Sequence, residues 1–489
     1  MKRTARTQAT SCGADARAVG IDRNMILGSS ITIGAQIGKS AVYLISTVAL
    51  ARALAPEDFG LFAIVTAFTN FLLLFKDLGL SAATIQREEI DQAQISALFW
   101  INAISGALLM LLVALCAPIL AKLYSDARLC PVTLALSVNL FLSSLTVQHQ
   151  ALLKRQMRFL TLAMIDLLPL AAGTAIAIVA ALQGLRYWAL VAMSLTSSAS
   201  AVLVTWIACR WRPSLRPPQT PVREMIRFGG YLTGSNIINY FSRNADNMLI
   251  GWYWGAQQLG FYDRAYQLMF LPIYLINTPL SFVAIPLLSR LRKTPESYEE
   301  AYLKLLRLTS LLAMPLVIFL LVTADWTISL LLGPQWGETS RIFRWLGLAA
   351  LVQPLANTTG WLFISQGRTR ELMWWNLASS AISLLSIIAG LPWGPLGVAI
   401  SYSLSYLMLN APLLLCFIQR IAIFDSKKLP RGLLLACGQS FALLVALITL
   451  RYSLPGLSKT SAWLLALSLT LSSVLYFLLR ARYIAALSR

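Results

Sequence analysis

Apolar stretches of about 20 residues follow one another along nearly the whole 489-residue chain, with short polar segments between them. A helix of that length spans the hydrocarbon core of a bilayer. The pattern therefore predicts an all-α integral membrane protein with about 14 transmembrane helices. These predicted helices lie near residues 25–50, 61–82, 94–121, 131–150, 162–182, 187–208, 228–253, 264–289, 302–324, 341–365, 372–390, 396–419, 432–450 and 461–479.

Polar segments divide the predicted helices into groups. The clearest division is a Pro- and Arg-rich break after the sixth helix. Two six-helix lobes and a final helix pair result. The predicted units are a cytoplasmic N-terminal tail at 1–24, an N-lobe at 25–208, a basic cytoplasmic linker at 209–227, a C-lobe at 228–419, a C-terminal helix pair at 432–479 and a cytoplasmic tail at 480–489.

A weak internal repeat connects the two lobes at an offset of 200 residues. Residues 53–63 align with 253–263, and Gly60 then corresponds to Gly260. Because six helices are an even number, the two copies would share one orientation and be related by an axis along the membrane normal. Such repeats usually enclose a substrate site near the bilayer midplane. Chance similarity between apolar sequences is the alternative.

The charge of the chain is strongly positive, with 40 Lys+Arg against 20 Asp+Glu. In a soluble protein this excess would suggest a nucleic-acid partner, but here the position of the charges decides. Most basic residues fall on alternate polar segments, the pattern that marks the cytoplasmic side of membrane proteins. The bias predicts that both termini are cytoplasmic and that nucleic acid is not a partner. Arg264 is among the few basic residues assigned to the outside loops.

The sequence lacks the motifs of several functional classes. The six cysteines do not form a disulfide framework in this topology, and no metal-ligand spacing is present. There is no HExxH motif, no paired catalytic carboxylates on a large loop and no phosphate-binding P-loop. We therefore expect no catalytic residues, no metal site, no cofactor and no ATP-driven motor.

Charged residues near the centres of predicted helices are the strongest candidates for function, because each costs about 2.5–3.5 kcal/mol to place there. Lys39 lies near the middle of the first helix, and Arg243 lies one turn beyond the equivalent position of the seventh. Gln36, Ser40 and Tyr43 add polarity beside Lys39, and Asn236 and Asn239 add polarity beside Arg243. We predict that Lys39, Arg243, Asn236 and Asn239 line a water-filled cavity and bind a diffuse anion such as phosphate or pyrophosphate.

Three other charged residues have two interpretations. Asp246 could couple transport to an ion, or it could form an ion pair with Arg243 that only holds the helix together. Lys76 and Asp77, near the cytoplasmic end of the second helix, could serve ion coupling or could anchor the helix at the membrane surface. Similarly, Lys39 could extend toward a lipid headgroup instead of facing a cavity.

Specific runs of sequence resemble a known family. They are RALAPEDFGLFA at 52–63, DLGLSAATIQRE at 77–88 and DNMLIGWYWGAQQLGFYDRAYQL at 246–268. These runs are similar to those of the polysaccharide transporters, or Wzx-type flippases, of the multidrug/oligosaccharidyl-lipid/polysaccharide exporter superfamily. The resemblance implies two six-helix lobes around a central cavity, with two additional C-terminal helices.

The resemblance also implies a function. Members of this family move undecaprenyl-pyrophosphate-linked oligosaccharide repeat units across the bacterial inner membrane for exopolysaccharide, O-antigen or capsule synthesis. The lobes would rock between inward-open and outward-open states, without an organic cofactor. A polysaccharide polymerase and a chain-length regulator are the implied partners. Lys39 and Arg243 would then receive the pyrophosphate, an assignment that comes from their charge and depth.

Three alternative functions compete with this one. A drug or metabolite antiporter of the same superfamily would share the fold, but a cavity for cationic cargo should be acidic. A membrane-bound polysaccharide polymerase or ligase would require a larger outside loop than the short ones near 122–130, 251–263 and 325–340. A scaffold subunit without transport activity would not require polar helix interiors.

Overall fold

The protein is described by a computed structural model that covers residues 34–77, 80, 81, 84, 90–214, 223–421, 428–453 and 458–487. The side chains at 223–239, 241–243, 369, 419–421, 428–433, 478 and 480–487 lie outside this description. Within the described ranges all regular secondary structure is helical. Nine of the described helices are long and apolar enough to cross a membrane. The predicted class of all-α integral membrane protein is therefore confirmed.

The described residues of the N-terminal half include seven helices. The second begins at Pro56, where proline fits the first helical position because its missing N–H would have no partner there. The Asp58 carboxylate accepts a hydrogen bond of 3.0 Å from the Ala55 N–H. The helices are α1 (34–53), α2 (Pro56–Leu73), α3 (Gln92–Leu123), α4 (Leu129–Ser144), α5 (Val147–Arg155), α6 (Phe159–Leu182) and α7 (Trp188–Cys209).

The C-terminal half begins with a 69-residue helix that is broken once, at Gly255. The backbone there has φ 78° and ψ 178°, a conformation that favours glycine. A π-helical segment at Tyr406–Asn410 joins α14 to α15. The helices are α8 (Arg223–Leu291), α9 (Pro295–Val322), α10 (Ala324–Leu331), α11 (Gly337–Ala350), α12 (Gln353–Ser365), α13 (Thr369–Gly390), α14 (Gly394–Ser405), α15 (Ala411–Ile421), α16 (Lys428–Ser453) and α17 (Lys459–Leu487).

The break at Gly255 divides α8 into a first limb before it and a second limb after it. The sequence predicted an outside loop over 251–263, and this prediction was wrong because the helix resumes directly after one glycine. The predicted helices at 131–150 and 341–365 are also each divided by a short break, after Ser144 and after Ala350. Average hydropathy does not detect a break of one or two residues within an apolar run.

The two halves meet at a crossing of α2 with the second limb of α8. A Cβ atom added to Gly60 would overlap the carbonyl oxygen of Ala256, and one added to Gly260 would overlap that of Pro56. The two contacts are equivalent under the offset of 200 residues, because Gly60 corresponds to Gly260 and Ala256 corresponds to Pro56. A local twofold axis requires this exchange. The repeat predicted from sequence is therefore visible as a symmetric contact, at which only glycine permits the close approach.

The C-terminal pair, α16 and α17, packs on the C-lobe helices α9 and α10. The Arg451 guanidinium donates two hydrogen bonds, of 2.9 and 2.8 Å, to the two carboxylate oxygens of Asp325. The Trp463 indole N–H donates to the Thr327 hydroxyl at 2.8 Å. These contacts attach the pair to the C-lobe.

Candidate functional site

A cavity of about 530 Å³ lies between the two lobes. The first lobe contributes one face of α1 and a single residue of α6, and the second contributes the second limb of α8 and a single residue of α12. No carboxylate is among the described residues that line it. The lining residues are Gln36, Lys39, Ser40, Tyr43, Leu170, Tyr266, Gln267, Phe270, Leu271, Ile273, Tyr274, Asn277, Thr278 and Asn357.

The α1 wall is the polar face noted in the sequence. Gln36, Lys39, Ser40 and Tyr43 are spaced by three, one and three residues, so they share one side of the helix. Lys39 lies on the cavity wall. Its role in binding cargo stays a prediction.

Lys39 has a partner that the sequence did not identify. Its ammonium nitrogen lies 3.7 Å from the Asp166 carboxylate of α6, and the two side chains are 44% and 61% exposed. An ion pair this exposed contributes only about 0–1 kcal/mol. An anionic ligand with better geometry could therefore take the place of Asp166 at low energetic cost.

The opposite wall is aromatic and amide-bearing. Tyr266, Phe270 and Tyr274 lie one turn apart along the second limb of α8. Two hydrogen bonds join the walls. The Gln36 amide donates to the Tyr274 hydroxyl at 3.1 Å, and the Tyr43 hydroxyl donates to the side-chain oxygen of Gln267. The sequence had identified the α1 side of both pairs but neither of the α8 residues.

A buried charge pair lies behind this wall. The Gln267 amide donates to Asp263 at 2.8 Å, and the Asp263 carboxylate lies 3.1 Å from the Arg264 guanidinium. Arg264 stacks on the Phe59 ring with 4.3 Å between the guanidinium carbon and the ring centre. The sequence had placed Arg264 at the end of an outside loop, whereas in the structure this segment is helical and the side chain is buried.

The lobes are in contact at the end of the bundle where α1 meets α2, which we call the closed end. The Trp336 indole N–H and the Gln335 amide each donate to the Ala51 carbonyl at 2.9 Å. Arg52 donates to the Leu331 carbonyl at 3.3 Å, and Phe59 packs edge-on against Trp336. These contacts join the two lobes at the closed end.

The remaining predicted residues are not part of the described cavity wall. The side chains of Asn236, Asn239 and Arg243 lie outside the described residues. Asp246 is described and is buried at 5% exposure. Its carboxylate accepts hydrogen bonds from the Tyr262 hydroxyl at 3.0 Å and from the Asn247 N–H at 2.9 Å.

Lys76 and Asp77 follow the C-terminus of α2, at the opposite end from Ala55. They line a separate polar pocket of about 320 Å³ together with Lys154. Asp77 accepts a hydrogen bond of 2.9 Å from the Ser81 N–H. The structure therefore does not bring these two residues to the central cavity. No group of three or more potential metal ligands occurs among the described side chains.

Comparison with known protein families gives one match over most of the chain. The model of the family described as "Polysaccharide biosynthesis protein" matches residues 49–341. The teichuronic acid biosynthesis protein TuaB of Bacillus subtilis (strain 168) is 26% identical over 330 residues, which cover 67% of this chain and 68% of TuaB. The lipopolysaccharide biosynthesis protein WzxC of Escherichia coli (strain K12) is 23% identical over 373 residues, covering 75% and 74%.

Solved structures share the fold at low sequence identity. The lipid II flippase MurJ in an inward closed conformation superposes with a TM-score of 0.77 at 15% identity, covering 95% of this chain and 100% of MurJ. An inward-facing multidrug resistance transporter of the MATE family gives 0.62 at 13% identity, covering 82% and 99%. The predicted superfamily fold is therefore confirmed.

Proposed function

The chain belongs to the polysaccharide biosynthesis protein family, and we propose that it moves undecaprenyl-pyrophosphate-linked oligosaccharide repeat units across the bacterial inner membrane. The observation that carries the proposal is the cavity between the lobes, with Lys39 and several amide and hydroxyl side chains on its wall. Relatives named for teichuronic acid and lipopolysaccharide synthesis support a glycan cargo. The fold shared with a lipid flippase supports transport instead of catalysis.

The size of the cavity fits the polar part of such a cargo. At about 530 Å³ it lies within the roughly 300–1,000 Å³ typical of ligand pockets. It can hold a pyrophosphate and neighbouring sugars, whereas an apolar polyprenyl chain is more stable in the hydrocarbon core of the bilayer. The protein would shield the polar groups as they cross, and the lipid tail would stay in the membrane.

Lys39 is the group that we propose for the pyrophosphate. Its ammonium group is a point charge that exchanges partners readily, and its present partner, Asp166, holds it weakly. Arg243, Asn236 and Asn239 stay predicted members of the same anion site. A ligand with equal affinity for two conformational states does not change the equilibrium between them. The anion must therefore be bound more tightly in one state than in the other.

The closed end is proposed to face the periplasm, with both termini in the cytoplasm as the distribution of basic residues predicts. The cavity would then receive cargo from the cytoplasmic leaflet in this conformation. Opening at the closed end would require the hydrogen bonds from Arg52 and Trp336 to break. A polymerase and a chain-length regulator would act on the cargo afterwards.

Asp246 is the carboxylate that we propose for ion coupling. It is buried, and no basic side chain lies within 4 Å of it among the described residues. Lys76 and Asp77 lie in a different pocket at the end of α2 and are better suited to anchoring that end. A drug antiporter is the second candidate, but the described cavity wall carries a cation and no carboxylate.

Deletion of the gene followed by analysis of lipid-linked glycans tests the proposal. We expect loss of the surface polymer and accumulation of complete repeat units on the cytoplasmic face of the membrane. Accumulation of single units already exposed to the periplasm would instead identify a polymerase. In the deletion strain, the Lys39→Ala and Arg243→Ala variants should insert into the membrane but should not restore export. Full export by the double variant would contradict the proposed anion site.

A further inference from the structure

An aromatic stripe runs along the second limb of α8. Tyr262, Tyr266, Phe270 and Tyr274 recur every four residues, so each ring lies one turn beyond the last on the same side of the helix. Tyr262 is fully buried near the closed end, and Tyr274 is 49% exposed. The last three rings line the cavity, and the centres of the Tyr266 and Phe270 rings lie 4.5 Å apart.

Amide side chains border this stripe. Gln267 and Asn277 lie on the same wall, and Gln36 reaches it from α1. The side-chain oxygen of Asn277 is buried and has no hydrogen-bond partner. A ligand that occupied the cavity would therefore meet aromatic rings along this wall, with amide side chains beside them.

This combination matches the chemistry of a sugar ring. A pyranose has a face of C–H groups with slight positive charge, which fits the negative face of an aromatic ring, and a rim of hydroxyl groups that pair with amides. We propose that Tyr266, Phe270 and Tyr274 form the binding surface for the sugar rings of the cargo, separate from the anion site at Lys39. The inference rests on the proposed function.

The positions of the two sites agree with the order of groups in such a cargo. Gln36, which contacts the stripe through Tyr274, is three residues from Lys39 on the same face of α1. Three residues correspond to a rise of about 4.5 Å along the helix. A phosphate at Lys39 and the sugar attached to it would therefore lie side by side, with the sugar against α8.

A polyprenyl chain is the other apolar group that could contact the rings. Hydrocarbon packed on this wall would leave the side-chain oxygen of Asn277 without a hydrogen-bond partner, which costs about 1–3 kcal/mol for a buried polar group. A sugar hydroxyl could donate a hydrogen bond to that oxygen. The wall therefore favours the glycan over the lipid part of the molecule.

The test compares two probes bound to the purified full chain in lipid nanodiscs. One probe is undecaprenyl pyrophosphate, which has the lipid and the anion but no sugar, and the other is the lipid-linked repeat unit extracted from the source bacterium. Phe270→Ala and Tyr266→Ala should weaken binding of the repeat unit on the order of tenfold and leave binding of undecaprenyl pyrophosphate unchanged. Phe282→Ala is the matched control, because Phe282 lies on the same limb but is 53% exposed and does not line the cavity.

Two results would overturn the inference: equal weakening of both probes, or no weakening of the repeat unit. Phe270→Leu guards against a folding defect, because it keeps an apolar side chain of similar size and removes only the aromatic face. It should also weaken the repeat unit selectively. Failure of the unaltered protein to bind either probe would contradict the proposed function itself and not the assignment of the stripe.

Discussion

Substitution of Gly60 by alanine should destabilise the conformation in which the lobes touch. The added methyl group would overlap the carbonyl oxygen of Ala256, a backbone atom that cannot rotate away. Such overpacking typically costs about 1–3 kcal/mol, and relief here requires the two helices to move apart. Alanine gains helix propensity equally in both arrangements of the lobes, so this gain does not change the equilibrium between them, and we expect a cost of about 2 kcal/mol, the middle of that range.

That cost corresponds to a roughly 30-fold shift of the equilibrium away from the closed arrangement. Spin labels at Leu185 in the first lobe and Trp393 in the second, both exposed near the closed end, would report the separation as a distance distribution. Gly60→Ala should move the population toward longer distances. Gly260→Ala should act in the same way, because the local twofold axis exchanges the two contacts.

Gly360→Ala provides the matched control. Gly360 lies within α12, and no atom lies within 4 Å of the position that its Cβ would occupy. This variant should leave the distance distribution unchanged and raise stability slightly through helix propensity. A Gly60→Ala protein with the distances and transport rate of the unaltered protein would refute the view that this crossing holds the closed end together.

Three further predictions concern single charged groups. Lys39→Ala should weaken binding of undecaprenyl pyrophosphate by about 10- to 100-fold, as expected when a hydrogen bond to a charged group is lost. Lys304→Ala, which removes an exposed ion pair on α9, should leave this binding unchanged. Arg451→Ala should lower the free energy of unfolding by about 1 kcal/mol, measured by thermal unfolding in detergent, with Arg451→Lys intermediate because lysine cannot form the paired hydrogen bonds. Although burial raises the pKa of the Asp325 carboxyl, hydrogen bonds from Arg451 hold that pKa below its ordinary value. The stabilising contribution of Asp325 is therefore complete above the unfolded-state pKa of about 4 and is lost as the pH falls through the lower folded-state pKa, and Asp325→Asn should remove this acid sensitivity.

The polar wall of α1 could be predicted from the sequence for a simple reason. A lysine within a long apolar run is costly in lipid, and Gln36, Ser40 and Tyr43 share its helical face. The aromatic stripe on α8 carried an equally regular four-residue spacing, but aromatic residues are common in membrane helices and attract no attention by polarity. Hydropathy detects a wall that is unusually polar more readily than one that is aromatic.

Other features depend on contacts between distant segments and could not be predicted. Asp166 becomes the partner of Lys39 only because α6 packs beside α1. Arg264 was assigned to an outside loop because it lies at the end of the short segment between the predicted helices at 228–253 and 264–289. In the structure its charge is balanced by Asp263 and its guanidinium lies on a ring of the other lobe, so burial of the segment is favourable.

The repeat also relates the polar face of α1 to the first limb of α8. Under the offset of 200 residues, Gln36, Lys39 and Tyr43 correspond to Asn236, Asn239 and Arg243. Tyr240, on the first limb of α8, reaches the other lobe, where its hydroxyl donates to the Ala67 carbonyl. The crossing of α2 and α8 at the closed end is therefore symmetric, whereas the polar side chains of α1 differ from those at the equivalent positions of α8. Under this reasoning each copy supplies one cationic residue, and a pyrophosphate, which carries charge on two phosphate groups, is the ligand best able to use both.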